Sequence, residues 1–288
     1  MIFLLLSILS STTIALLFKL MGKYQAPLLP VIVLNYCSAL FAGLLLFDGD
    51  LSIQYILSRS WIYLSIIMGG LLIIGFYLIG YTTQKAGIAV ATIANKMSVI
   101  IPISFSIFYF SEPMSLWKSM GIILALVSVL MAVYKKSKKE ESIRFSFLPL
   151  IMFLVVGMID SGVKLAQHTY VSGEDISLFS SLTFGLAGLI GVAIVLVKPK
   201  HGPGFTNPLV WLFGVFIGLA NFGSMYFLIL ALNHSGLDSS IVYGVNNMGI
   251  IIISIGLAVA FFKEKLSSLN FLGVILALFA VALLTLWI

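Results

Sequence analysis

Four ionisable side chains stand inside long apolar runs of this sequence: Lys19, Lys96, Asp160 and Lys164. A lysine near the centre of a spanning helix costs about 2.5 to 3.5 kcal/mol on insertion scales, so a residue kept there points to a function or a partner. Lys96 lies nine residues into its run, roughly 13 to 15 Å deep at 1.5 Å per residue, too far to reach an interface. With Asn95 beside it, Lys96 offers an ammonium and an amide to a carboxylate or a phosphate. Asn246 and Asn247 lie equally deep in a later run that starts from the opposite face, so the two sets should converge near the midplane. Such polar groups either bind substrate or hydrogen-bond between helices.

Asp160 and Lys164 are spaced i, i+4 and therefore share one helix face. They read either as an ion pair that neutralises itself for insertion or as a carrier for a coupling proton or cation. Lys19 lies within a turn of the end of its run, where it either snorkels to the interface as an anchor or contributes a ligand. Tyr77 and Tyr226, with Asn221 upstream of the second, could line a cavity with an apolar body and a polar tip, or simply pack. Pro102 follows Lys96 by six residues and removes a backbone donor, which should free the Ser98 carbonyl and kink the helix, for gating or for packing. Gly214 and Gly218, and Gly185, Gly188 and Gly191, are spaced for close helix approach.

Other chemistries find no residues. His168, His201 and His234 fall in loops or at the ends of apolar runs, without His-x-x-x-His spacing or a carboxylate cluster, so no metal site is expected. There is no Gly-x-Ser-x-Gly motif and no P-loop, which excludes an ATP-driven pump on this chain. Cys37 is the lone cysteine, so no disulfide framework is available. No cofactor is expected, and the chain is not expected to be an enzyme.

The elements that must position these residues follow from composition. The 288 residues are 61% hydrophobic and 9% charged, far from a soluble domain and suited to lipid. The net charge of +6 does not point to nucleic acid, because the basic residues flank apolar runs rather than line a polar face. Runs long enough to span lie near residues 2–21, 29–47, 61–84, 87–110, 116–134, 148–168, 176–197, 209–232, 237–262 and 269–288. The first has no basic n-region ahead of it and reads as a span rather than a cleaved signal. The expected fold is an all-α integral membrane protein of ten transmembrane helices.

One set of loops carries eleven lysines and arginines, including Lys23, Lys85, Lys263, Lys265 and the five between Lys135 and Arg144; the other set carries Arg59 and Lys118. The basic set should face the cytoplasm, placing both termini outside and Asp48, Asp50, Glu174, Asp175 and Asp238 on the outer side. The segment 135–147 is then a basic cytoplasmic hinge between halves 1–134 and 148–288.

These halves align with each other. Lys19 falls on Lys164 and Ala42-Gly43 on Ala187-Gly188 at an offset of 145, Tyr77 and Gly87 on Tyr226 and Gly236 at 149, and Asn95, Glu112 and Gly121 on Asn247, Glu264 and Gly273 at 152. Five spans is an odd number, so the second half must enter the membrane inverted. Two inverted five-helix repeats can exchange conformations around one central site, as secondary transporters do.

Phe110-Ser111-Glu112 followed by Gly121, repeated as Phe262-Lys263-Glu264 followed by Gly273, resembles the signature closing each half of the drug/metabolite transporter superfamily, in particular its EamA-like ten-helix members. The resemblance covers the whole chain. It implies a secondary transporter of a small polar metabolite such as an amino acid, with a cavity lined chiefly by helices other than the fifth and tenth. Asn95-Lys96 and Gly244-Val245-Asn246-Asn247 are also similar to a nucleotide-sugar motif, but Met248 stands where its second lysine would be. Familiar ten-helix members keep their termini in the cytoplasm, opposite to the charge count.

The expected partners are therefore a small anionic or zwitterionic substrate, the bilayer of a cell or inner membrane, and a coupling proton or cation, in a monomer or homodimer. The competing reading is a flippase for lipid head groups, and a more distant one a membrane-embedded enzyme. Glu112 and Glu264, at span ends, are expected to cap loops rather than touch substrate.

Overall fold

The computed structural model describes all residues except 47–51, 112–113, 134–139, 171–175, 198–203, 237–238 and 287–288. The described residues form helices and no strand: α1 (Ile2–Lys23), α2 (Leu28–Leu45), the short α3 (Ile53–Leu57), α4 (Ile62–Ala86), α5 (Ile88–Met97), α6 (Ile100–Tyr109), α7 (Leu116–Val133), α8 (Glu140–Leu165), α9 (Ile176–Val197), α10 (Pro208–His234), α11 (Ser239–Phe262) and α12 (Ser268–Leu286). Among the described residues, eight helical segments, counting α5 and α6 as one, are long and apolar enough to cross a membrane. Two more, Leu116–Ala132 and Ser268–Leu284, are apolar but shorter. At 1.5 Å per residue they reach about 26 Å, near the lower limit for a spanning helix. Closed hydrogen bonding within each helix is what lets such segments exist in hydrocarbon.

Local sequence sets the ends. α4 turns into α5 on one residue, Gly87, whose φ of 103° is open to glycine and to few others. α10 opens on Asn207, whose Oδ1 accepts the Leu209 N–H at 3.0 Å, followed by Pro208 at the first helical position, where a missing N–H costs nothing. α12 opens on a reciprocal pair: the Ser267 hydroxyl oxygen accepts the Asn270 N–H, and Asn270 Oδ1 accepts the Ser267 N–H. Asn270 Nδ2 then reaches across to the last carbonyls of α7, Met131 at 3.0 Å and Ala132 at 2.8 Å.

Two features differ from the sequence reading. α8 starts at Glu140, well inside the segment 135–147 taken as a hinge. The run 87–110 is two helices, broken at Ser98–Val99, four residues before Pro102. The Ser98 carbonyl is not left free there. It accepts the Ile101 N–H at 2.9 Å in a tighter turn.

Among the described residues the two largest core clusters each draw on both halves of the chain. One gathers buried residues of α5, α7, α8, α11 and α12, among them Met97, Ala125, Met152, Ile251 and Leu284. The other gathers α1, α2, α4, α9 and α10 around Phe18, Ile32, Tyr36, Ala187 and Ile217. α7 and α12 form the most extensive helix pair. Gly121 at the start of α7 lies against Leu284 near the end of α12, while Gly273 at the start of α12 lies against Ala132 near the end of α7. The two helices are thus antiparallel, and their contacts are reciprocal.

Candidate functional site

The break at Ser98 ends α5 one turn after Asn95 and Lys96, and both side chains line an internal cavity of about 340 Å³. Seven helices wall it. α1 contributes Ser11, Ile14 and Ala15; α4 contributes Met68, Leu72, Phe76, Ile79 and Thr83; α5 adds Ala91 and Thr92. α8 supplies Val156, Ile159, Asp160 and Val163; α9 supplies Phe179, Ser180, Thr183 and Phe184; α10 and α11 supply Asn221, Ser224, Met225, Ile250 and Ser254. Neither α7 nor α12 is represented.

Charge in this cavity comes from Lys96 and Asp160, which interact electrostatically. Asp160 presents its carboxylate to the cavity although it lies deep among the helices. The Ser98 hydroxyl is within reach of that carboxylate and also of the Asn95 carbonyl, at 2.5 Å. A hydroxyl has one proton to give, so Ser98 can serve the α5 backbone or Asp160, but not both fully. Gly157 and Gly162 flank Asp160 on α8 and let Ile101 and Met68 press close to the helix backbone, which fixes the face that carries the acid.

The rest of the lining is apolar with a scatter of hydroxyl and amide groups. Phe76 and Phe184 form one wall, and Tyr36, wholly buried behind them, lies against both rings at 5.4 and 6.0 Å. Its hydroxyl donates to the Leu72 carbonyl at 2.7 Å, so a polar tip braces an apolar wall. Asn221 Nδ2 donates to Asn35 Oδ1 at 3.3 Å. The Ser254 hydroxyl is buried in the lining and makes no hydrogen bond among the described residues, an unspent donor of the kind that usually finds water or ligand.

The sequence-derived candidates separate into groups. Lys96, Asn95, Asn221 and Asp160 line the cavity. Asn246 and Asn247 do not; Asn246 is 4% exposed and its Oδ1 makes no hydrogen bond among the described residues, and α11 reaches the cavity one to two turns further on. Tyr77 and Tyr226 also stay outside the lining, stacking instead on Tyr81 and Phe222 along their own helices. Lys164 lies one turn beyond Asp160 and outside the lining, and within the lining Asp160 interacts with Lys96. Lys19 lies outside the lining, and its ammonium is 2.9 Å from the Glu264 carboxylate. Glu264 does cap, but what it caps is the start of α5, from the other half of the chain. Glu112 lies outside the described residues.

Asn35 and Tyr36 were missed because a lone amide or phenol in an apolar run is usually a packing residue; the one available signal was the polar cluster Asn35-Tyr36-Cys37-Ser38 within an otherwise apolar helix.

No protein family model matches the chain. A protein of Haemophilus influenzae, itself uncharacterized, is 26% identical over 284 residues, which cover 96% of this chain and 95% of that one. A protein of known crystal structure superposes with a TM-score of 0.60 at 17% identity, over 99% of this chain and 96% of the other. That likeness concerns the fold alone, and its near-complete coverage in both directions makes the whole helical arrangement a shared one.

Proposed function

We propose that the chain is a secondary transporter for a small zwitterionic metabolite, such as an amino acid with an apolar side chain, built from two five-helix repeats of opposite orientation. The observation that carries the reading is the pairing of Lys96 with Asp160 in a cavity walled by helices from both halves. A ligand with a single charge would leave one of the two cavity charges without a partner in a poorly hydrated site, which is costly. A zwitterion leaves neither: its carboxylate takes Lys96, its ammonium takes Asp160, and an apolar remainder lies on Phe76 and Phe184. Asp160, released from the ammonium, is then the group available to a coupling proton or cation on the return step.

The repeat is supported by positions that the alignment of halves pairs and that share a positive φ. Gly87 and Gly236 both have positive φ, at 103° and 69°, and so do Ser111 and Lys263, at 56° and 52°. Reciprocal packing of Gly121 on Leu284 and Gly273 on Ala132 is what a two-fold axis between α7 and α12 would produce, since residues 132 and 284 are 152 apart, as are 121 and 273. With α7 and α12 counted as spans there are ten, five to each half.

The test is transport by purified protein in liposomes. Labelled zwitterionic amino acids should show saturable uptake and counterflow without chemical change. Lys96→Gln removes one charge-assisted hydrogen bond to the substrate, about 1.5 to 3 kcal/mol, and should weaken binding roughly ten- to hundredfold. Unaltered transport in that variant would take Lys96 out of the site; a chemically converted product would turn the reading to an enzyme, and movement of labelled lipid alone to a flippase.

A further inference from the structure

Where α1 and α4 end and α5 begins, a carboxylate from the second half of the chain closes onto the first. Glu264 stands two residues beyond α11. It accepts the Ile88 N–H at 2.9 Å and the Ala89 N–H at 3.4 Å, at the opening turn of α5. It also takes the Lys19 ammonium at 2.9 Å, and Lys19 donates in addition to the Thr83 carbonyl at 3.4 Å.

The backbone on both sides is shaped for this contact. Lys263 turns with a φ of 52°, and the Glu264 N–H ties back to the Ala258 carbonyl at 3.0 Å, so the carboxylate is aimed by the end of α11. Gly87 offers no side chain to obstruct it; a Cβ there would lie 2.8 Å from Glu264 Oε2. A negative charge over exposed helix N–H groups is favourable twice, by hydrogen bonding and by the dipole.

We infer that Lys19 and Glu264 form a lock that shuts this end of the cavity and, through the first turn of α5, holds Lys96 in position. Three features separate a lock from a permanent staple. The contact joins the two halves rather than neighbouring helices of one. Its side chains remain 22% and 15% exposed, so water can replace the ionic contact when it opens, which it could not do cheaply in a dry core. Thr83, which Lys19 touches, itself lines the cavity, and Lys96 lies two turns along the helix that Glu264 caps. Opening the lock therefore frees the entrance and the substrate-binding lysine in one movement, with Glu264 as a positioning residue. The purpose of the lock rests on the transport reading; its existence does not.

The experiment uses the full chain in proteoliposomes, with Cys37→Ser and spin labels at Lys23→Cys and Lys265→Cys, both exposed positions at this end on opposite sides of the contact. Lys19→Met and Glu264→Gln remove the ionic contact but leave an oxygen at position 264 to accept the α5 amides, so folding is preserved in at least one of them. The longer-distance population should rise about tenfold in both, the factor expected for loss of one charge-assisted hydrogen bond. An unchanged distance distribution in Lys19→Met, with the protein monodisperse, overturns the lock. Longer distances in variants of a protein that moves no amino acid would uphold the lock and refute the transport reading instead.

Discussion

Lys96 and Asp160 carry opposite charges into a cavity whose other walls are mostly apolar, and this balance sets what can bind. With Asp160→Asn the cavity keeps its ammonium and loses its anion. A carboxylate ligand without an ammonium then becomes the better match. The expected outcome is a change in preference from an amino acid toward the corresponding acid lacking the amine, by at least about tenfold in relative affinity, equivalent to about 1.4 kcal/mol; competition binding on the purified variant measures it. At this scale the sequence exposed Lys96 and Asp160 because charge inside apolar runs is conspicuous. It did not show that Asp160 also interacts with Lys96, since i, i+4 spacing is visible along a chain while a neighbour on another helix is not. Tyr77 and Tyr226 were drawn in by their matching positions in the alignment of the halves, but matching positions can equally match in facing outward.

The helices owe their closeness to a few glycines, and their surroundings differ enough to sort them. A Cβ on Gly218 would meet the Asn35 backbone carbonyl and Cα, on the strand of chain that carries the Asn35–Asn221 hydrogen bond. Backbone cannot swing aside as a side chain can. Gly218→Ala should therefore part α10 from α2 and lower the apparent melting temperature in detergent, at a cost of about 1 to 3 kcal/mol. Gly256, in α11, has nothing within 4 Å of such a Cβ, and Gly256→Ala should leave the melting temperature unchanged or higher. Helix positions were readable from the apolar runs to within a few residues, and 176–197 coincides with α9. What hydropathy alone did not disclose was continuity: α8 begins inside the basic segment, and the one apolar run that holds both α5 and α6 is interrupted where Pro102, rather than hydropathy, gave the signal.

For the molecule as a whole, the halves do not stand side by side as separate bundles. Each core cluster mixes helices from both, and the cavity lies where α1, α4 and α5 of one half meet α8, α9, α10 and α11 of the other. A site assembled in this way can open only by moving one group of helices past another, and the Lys19–Glu264 contact is placed to hold one such movement. An all-helical chain of long apolar helices was legible from the apolar runs; which helices would face the cavity was not, because that depends on packing between distant parts of the chain.

Alternating access to this cavity is the claim on which the account stands, and one labelling measurement addresses it. Ser254 lines the cavity and is 1% exposed, so in a Cys37→Ser background Ser254→Cys is a reporter of entry. In proteoliposomes of known orientation, a membrane-impermeant thiol reagent should reach it from either face, one face at a time, with Lys19→Met raising the rate from the Lys19 end and lowering it from the other. Reaction from the same single face in every variant and at every substrate concentration would contradict the account.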